Sequence, residues 1–145
     1  MTGGPSVQNK VIRHGAYGVV LQDSKILLAQ KKTGPYFGLW GLPGGGIEFG
    51  ETPEQTLKRE LMEEASIAVS RLELLNIATA TGEYLENGCP YGFHQVGLIY
   101  RVLDWAEQSN HVPEEECRWA SLNDLIHKEL TPFALQAVSN LQCRR

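Results

Sequence analysis

The chain has 145 residues, 42% of them hydrophobic, which suffices for one globular domain with a sizeable core. Its formal net charge of −4 and calculated pI of about 5.6 argue against a general binder of nucleic-acid polymers or membrane surfaces. No run approaches the roughly 20 apolar residues needed to span a bilayer, and Cys89, Cys117 and Cys143 are odd in number and lack metal-ligand spacing, so a reducing cytoplasm is the expected setting.

Residues 1–10 are polar, with glycine and proline and no apolar signal segment, and read as a flexible arm ahead of one domain over 11–145. Gly15 to Leu21 and Lys25 to Gln30 are apolar runs around Gln22-Asp23-Ser24, the pattern of a hairpin. Thr33 to Gly38 reads as a loop, Leu39 to Leu42 as a brief strand, and Leu42-Pro43-Gly44-Gly45-Gly46 as a turn whose backbone can approach an ion or phosphate closely. Leu72 to Thr81 and Phe93 to Leu103 are predicted strands, broken by Glu86 to Pro90. Arg118 to Ala120 suggests a short strand. Two helices are expected after it, one capped by Ser121 and reaching His127, the other starting at Thr131-Pro132 and reaching Leu141. By periodicity alone this is an alpha plus beta order.

Between the glycines and the first long strand lies the most informative segment, Gly45 to Ile67. Thr52 can cap a helix, Pro53 suits its first position and Gln55 completes a capping box. At about 100° per residue, Glu60, Glu63 and Glu64 fall within roughly 100° of arc, beside an apolar stripe of Leu57, Leu61 and Ala65. Glu60 and Glu64 repel at i,i+4, and Glu63 and Glu64 oppose the helix dipole, each at a cost of a few tenths of a kcal/mol to about one. A hard divalent cation with oxygen ligands would reverse that balance. The bland alternative is a solvated acidic face, but the glycine turn, the anchoring stripe and Arg59, placed to pair with an acid such as Glu51, all count against it.

These residues resemble the signature of the Nudix hydrolases: Gly, five residues, Glu, seven residues, Arg-Glu, an aliphatic, any residue, Glu-Glu, any residue, Gly, an aliphatic. Gly45, Glu51, Arg59, Glu60, Leu61, Glu63, Glu64 and Ile67 fit in register. Ser66 replaces the final glycine, a substitution that costs about 1 kcal/mol of backbone strain and removes no ligand. The resemblance covers about residues 11 to 142 and implies an α/β fold, the Nudix-type alpha/beta/alpha sandwich with a mixed central sheet. It also implies a Mg2+-dependent pyrophosphohydrolase, Mn2+ serving as well, in which water attacks phosphorus in a nucleoside diphosphate-linked substrate. Nucleoside triphosphates, ADP-ribose-like molecules and dinucleoside polyphosphates are the classes it offers, and family members are commonly dimeric. By matching position Glu60, Glu63, Glu64 and the carbonyl of Gly44 are the metal ligands, Glu60 doubles as a base toward water, and Glu51 and Arg59 orient one another.

Other assignments rest on less. Members often recruit a further acid from a distant loop, here one of Glu114, Glu115 and Glu116, with Glu115 central; a solvated loop glutamate is the bland alternative. Lys31 and Lys32 suit phosphate contact or plain solvent exposure. Tyr84 follows Ile67 by 17 residues, a spacing that resembles diadenosine polyphosphate hydrolases, and Tyr36, Phe37, Trp40, Tyr91 and Phe93 are further stacking candidates. Leu130-Thr131-Pro132-Phe133 lacks the asparagine that the oxidised-purine triphosphatases use to read guanine. A nucleotide-binding sensor without turnover is the alternative, disfavoured because a sensor has little reason to keep the whole acidic set with Arg59.

Overall fold

The computed structural model describes residues 9–108 and 116–143. Eight strands and two helices follow in order: β1 Asn9–Val19, β2 Leu21–Gln22, β3 Lys25–Gln30, β4 Trp40–Gly41, β5 Gly44–Gly46, α1 Pro53–Ala65, β6 Ile67–Glu86, β7 Cys89–Glu107, β8 Cys117–Ser121 and α2 Pro132–Cys143. One sheet has the order β5-β1-β7-β6 and is mixed: β1 runs parallel to β7, while the β1–β5 and β6–β7 pairs are antiparallel. The second is built on β3, which pairs antiparallel with β2, β4 and β8.

The layering follows from side-chain alternation. On β1, β3 and β7, Ala16, Leu27, Tyr100 and Val102 face one way and join Leu57 and Leu61 of α1. Their neighbours Val19, Ile26, Leu28 and Ile99 face the other way and join Phe133, Ala134 and Val138 of α2. Strands apolar on both faces must be covered on both, so a helix lies on each side and the expected alpha/beta/alpha sandwich with a mixed sheet results.

Several elements depart from the sequence reading. β1 begins at Asn9, pairing with Tyr91, so Asn9 and Lys10 lie in the sheet. The hairpin partner of β3 is only Leu21–Gln22, with Asp23 and Ser24 at φ 51° and 63° making the turn. The glycines expected to form only a turn include a three-residue strand, because without side chains Gly44 to Gly46 can lie flat against Tyr17 to Gly15. β6 and β7 extend well beyond the apolar runs, since a two-residue Asn87-Gly88 turn, with φ 53° and 79°, lets the hairpin pair to its tip regardless of side-chain polarity. The expected helix from Ser121 to His127 does not form. Asn123 and Asp124 instead make a turn on Ser121, whose hydroxyl and carbonyl accept from their amides, and only a 3-10 turn at His127–Glu129 follows.

Helix α1 forms as its termini specify. Thr52 Oγ1 accepts from the Gln55 amide at 3.2 Å, and Gln55 Oε1 accepts from the Thr52 amide at 2.9 Å. At the other end Ser66 occupies the left-handed region at φ 57°, ψ 42°, and its amide caps the carbonyls of Leu61 and Met62. Thr52→Ala removes half of the capping box and will lower stability by about 1 kcal/mol, read by urea denaturation; an unchanged midpoint would show that tertiary packing alone holds the helix start.

Candidate active site

The end of α1 and the glycine strand are fastened together through Glu64. Its carboxylate is buried, and Oε2 accepts from the Gly44 amide at 2.7 Å. The Cys117 thiol donates to the Glu64 main-chain carbonyl at 3.3 Å, so β8 fixes the same helical turn from behind. Gly45 is the cradle for the second carboxylate: a Cβ there would meet Glu60 Oε1 at 2.7 Å, so only glycine leaves Glu60 its position.

Arg59 is the hub of the acidic face. Its Nε and Nη2 donate to the two oxygens of Glu51 at 2.8 and 3.0 Å, and Nη1 donates to Glu60 at 3.0 Å and Glu63 at 3.3 Å. The Glu51–Arg59 pair read from the sequence is therefore bidentate, and it ties the loop after β5 to the helix. The buried Thr56 hydroxyl donates to Glu51 at 2.8 Å, and the Glu48 amide adds a bond at 3.1 Å. With these donors, led by Arg59, the Glu51 carboxyl is held down at about 2, against an ordinary value of 4.5. A depressed folded-state pKa stabilises the fold above the ordinary value, and that stability is lost as pH falls from about 4.5 toward 2. Melting temperature should drop across this window, and Glu51→Gln should flatten part of the drop; parallel curves for the two proteins would contradict the pairing. Burial acts oppositely on Glu60, pushing its carboxyl up, while Arg59 pulls it back.

Among the described residues no three acidic side chains converge into a ready-made cation cage; Arg59 neutralises the cluster instead. The donors nonetheless suit Mg2+, which takes hard oxygens and typically uses one or two carboxylates, completing its shell with waters and phosphates. Glu60 and Glu64, placed by Gly45 and Gly44, are the best-positioned candidates, with Glu63 one helical step away.

A cavity of about 260 Å³ opens beside this face. It is lined by Gly44 and Gly45 of β5 and Glu64 of α1, by Lys31, Lys32 and Tyr36 from the segment after β3, by Arg13, His14 and Tyr17 of β1, by Gln95 of β7, and by Thr131 and Phe133 at the start of α2. Lys31 Nζ donates to the Leu42 carbonyl at 3.2 Å, and Lys32 Nζ reaches Gln30 at 2.9 Å and Glu116 at 3.5 Å. Lys31 and Lys32, which the sequence suits equally to phosphate contact and solvent exposure, both line the cavity, whereas Glu114 and Glu115 lie outside the described residues.

The predicted tyrosine lies elsewhere. Tyr84 stacks on Tyr91 at 5.7 Å and meets Phe93 edge-on at 5.8 Å; Phe93 in turn meets Tyr36, which among the described residues is the one member of the aromatic set that lines the cavity. Phe37 is exposed, and Trp40 lies against the Arg118 guanidinium, 4.4 Å from its ring centroid. Sequence reading missed Arg13, Tyr17, Gln95 and Phe133. They come from three separate elements, and only the parallel β1–β7 pairing and the docking of α2 bring them together.

Fold and site together define an α/β domain that presents a glycine strand and an acidic helix beside a basic cavity. The NUDIX domain profile matches residues 12–141, and the chain belongs to the Nudix family, as its signature implied. It is 40% identical over 60 residues to an ADP-ribose pyrophosphatase of Methanocaldococcus jannaschii, covering 41% of this chain and 36% of that protein. It is also 33% identical over 132 residues to a Mycobacterium tuberculosis protein provisionally named 8-oxo-dGTP diphosphatase 3, covering 83% of this chain and 58% of the other. These alignments span from about a third to somewhat over half of the relatives' own lengths. Among solved structures, the MutT NUDIX hydrolase from Burkholderia pseudomallei superposes with a TM-score of 0.67 at 29% identity, covering 88% of this chain and 96% of that one. Among the described residues no helix is long and apolar enough to cross a membrane.

Proposed function

We propose that the protein is a divalent-cation-dependent pyrophosphohydrolase that cleaves a phosphoanhydride bond in a nucleoside diphosphate-linked molecule by water attack at phosphorus. The observation that carries this reading is the placement of Glu64 on the Gly44 amide, with Glu60 packed against Gly45, beside a cavity lined by Gly44, Gly45, Glu64, Lys31 and Lys32. The relatives' names favour ADP-ribose-like molecules and oxidised purine triphosphates as first candidates.

Such a reaction demands that phosphate charge be neutralised and the attacking water held in line. Mg2+ or Mn2+, held by Glu60, Glu63, Glu64 and the Gly44 carbonyl, would supply Lewis acidity toward the phosphate oxygens. Lys31 and Lys32 screen the charge further from the carboxylates. Glu60, pushed up by burial, is the side chain best suited to receive a proton from water. Arg59, itself held by Glu51, bridges Glu60 and Glu63 through one guanidinium nitrogen and so fixes both carboxylates.

The test is product analysis of a panel with Mg2+ and with EDTA: ADP-ribose, diadenosine polyphosphates, ordinary and oxidised (d)NTPs, and nucleotide sugars. Turnover of one class that EDTA abolishes is expected. Tight binding across the panel without turnover would instead identify the sensor.

A further inference from the structure

Tyr17 enters the cavity from β1 in a position that two glycines reserve for it. A Cβ on Gly15 would meet its hydroxyl at 2.7 Å, and one on Gly44 would meet its ring at 2.9 Å. Phe133 fixes the ring from the far side in an edge contact at 5.4 Å, and the Lys31 ammonium stands 6.0 Å from its centroid. The ring is therefore fully specified by packing. The hydroxyl is not: among the described residues it has no hydrogen-bond partner, although the ring is partly buried on the cavity wall. A phenolic O–H on a cavity wall without a protein acceptor is open to a ligand, and with a lysine ammonium 6.0 Å from the ring centroid an anion suits it.

We propose that the Tyr17 hydroxyl is a substrate-binding donor that reads an anionic phosphate oxygen of the bound nucleotide, with Lys31 as the neighbouring positive charge. The inference rests on the cavity being the nucleotide site. It assigns to β1 a role in recognition separate from the acidic helix, and a phenylalanine at this position would fill the same space without the donor.

Tyr17→Phe tests it, because the ring contacts survive and no protein partner is orphaned, so the melting temperature should stay within about 1 °C. Calorimetric titration in the presence of Mg2+, where monophosphates have no anhydride bond to be cleaved, would compare AMP and dGMP with adenosine and deoxyguanosine, on wild type and variant. The expected result is that whichever monophosphate the wild type binds is weakened about tenfold by Tyr17→Phe, while its nucleoside is unaffected. Equal monophosphate affinity in both proteins would overturn the proposal and leave the nucleotide site standing. An equal loss for the nucleoside would place the hydroxyl on base or sugar and likewise overturn it. Failure of the wild type to bind either monophosphate would remove the nucleotide site and the proposal together.

Discussion

Replacing Glu64 with Gln, or Glu63 with Gln, is expected to lower cation-dependent hydrolysis by about 10³-fold or more with the fold intact. Removing a charge-stabilising group at a reacting phosphate commonly costs this much. At Glu64 the glutamine keeps an oxygen to accept from the Gly44 amide, so the link between helix and glycine strand survives. It also relieves repulsion with Glu60 one turn earlier. Melting temperature without added cation should therefore change by no more than a few degrees, and circular dichroism should be superimposable. Hydrolysis that survives both substitutions would sink the site assignment.

The second large effect separates two adjacent glycines. Gly44 sits at φ 143°, and a Cβ there would fall on the Ala16 carbonyl oxygen and within 2.7 Å of the Tyr17 Cα. Both obstacles are backbone and cannot swing away, so Gly44→Ala should cost about 3 kcal/mol or more, read as an early urea midpoint. At Gly45 the φ is not in the left-handed region and the obstacle is the Glu60 carboxylate, the far end of a flexible side chain that can swing away at the cost of its Arg59 bond. Gly45→Ala should fold within about 1 kcal/mol of wild type yet lose about 100-fold in kcat, because a displaced carboxylate no longer meets its partners. Wild-type turnover in Gly45→Ala would show that the position of Glu60 is unimportant.

What the chain disclosed on inspection was local. Thr52, Pro53 and Gln55 start α1 by rules that act within three residues, and Ser66 adopts the left-handed conformation that the missing glycine would have taken. The Glu51–Arg59 pair was legible for the same reason, since a loop and the helix it precedes are neighbours whatever the tertiary fold. The cavity was not legible. Gln95 reaches it because β7 runs parallel to β1, placing it in register with Arg13, a pairing across more than eighty residues that no local pattern announces. Tyr17 sits in an ordinary apolar run, and it is the β1–β5 pairing that sets it against Gly44 at the site. The Ser121 segment misled because a capping serine and a turn serine look alike; Asn123 and Asp124, both turn formers, carried the distinguishing signal.

The central claim is that this acidic face directs water onto phosphorus with the help of a divalent cation. The direct measurement is turnover in 18O-labelled water with Mg2+ and with EDTA, on the best substrate of the panel, read by mass spectrometry of the products. The account predicts one labelled oxygen per turnover, in a phosphate-bearing product, and no product in EDTA. Product formed equally in EDTA, or label found only on a non-phosphate product, would contradict it.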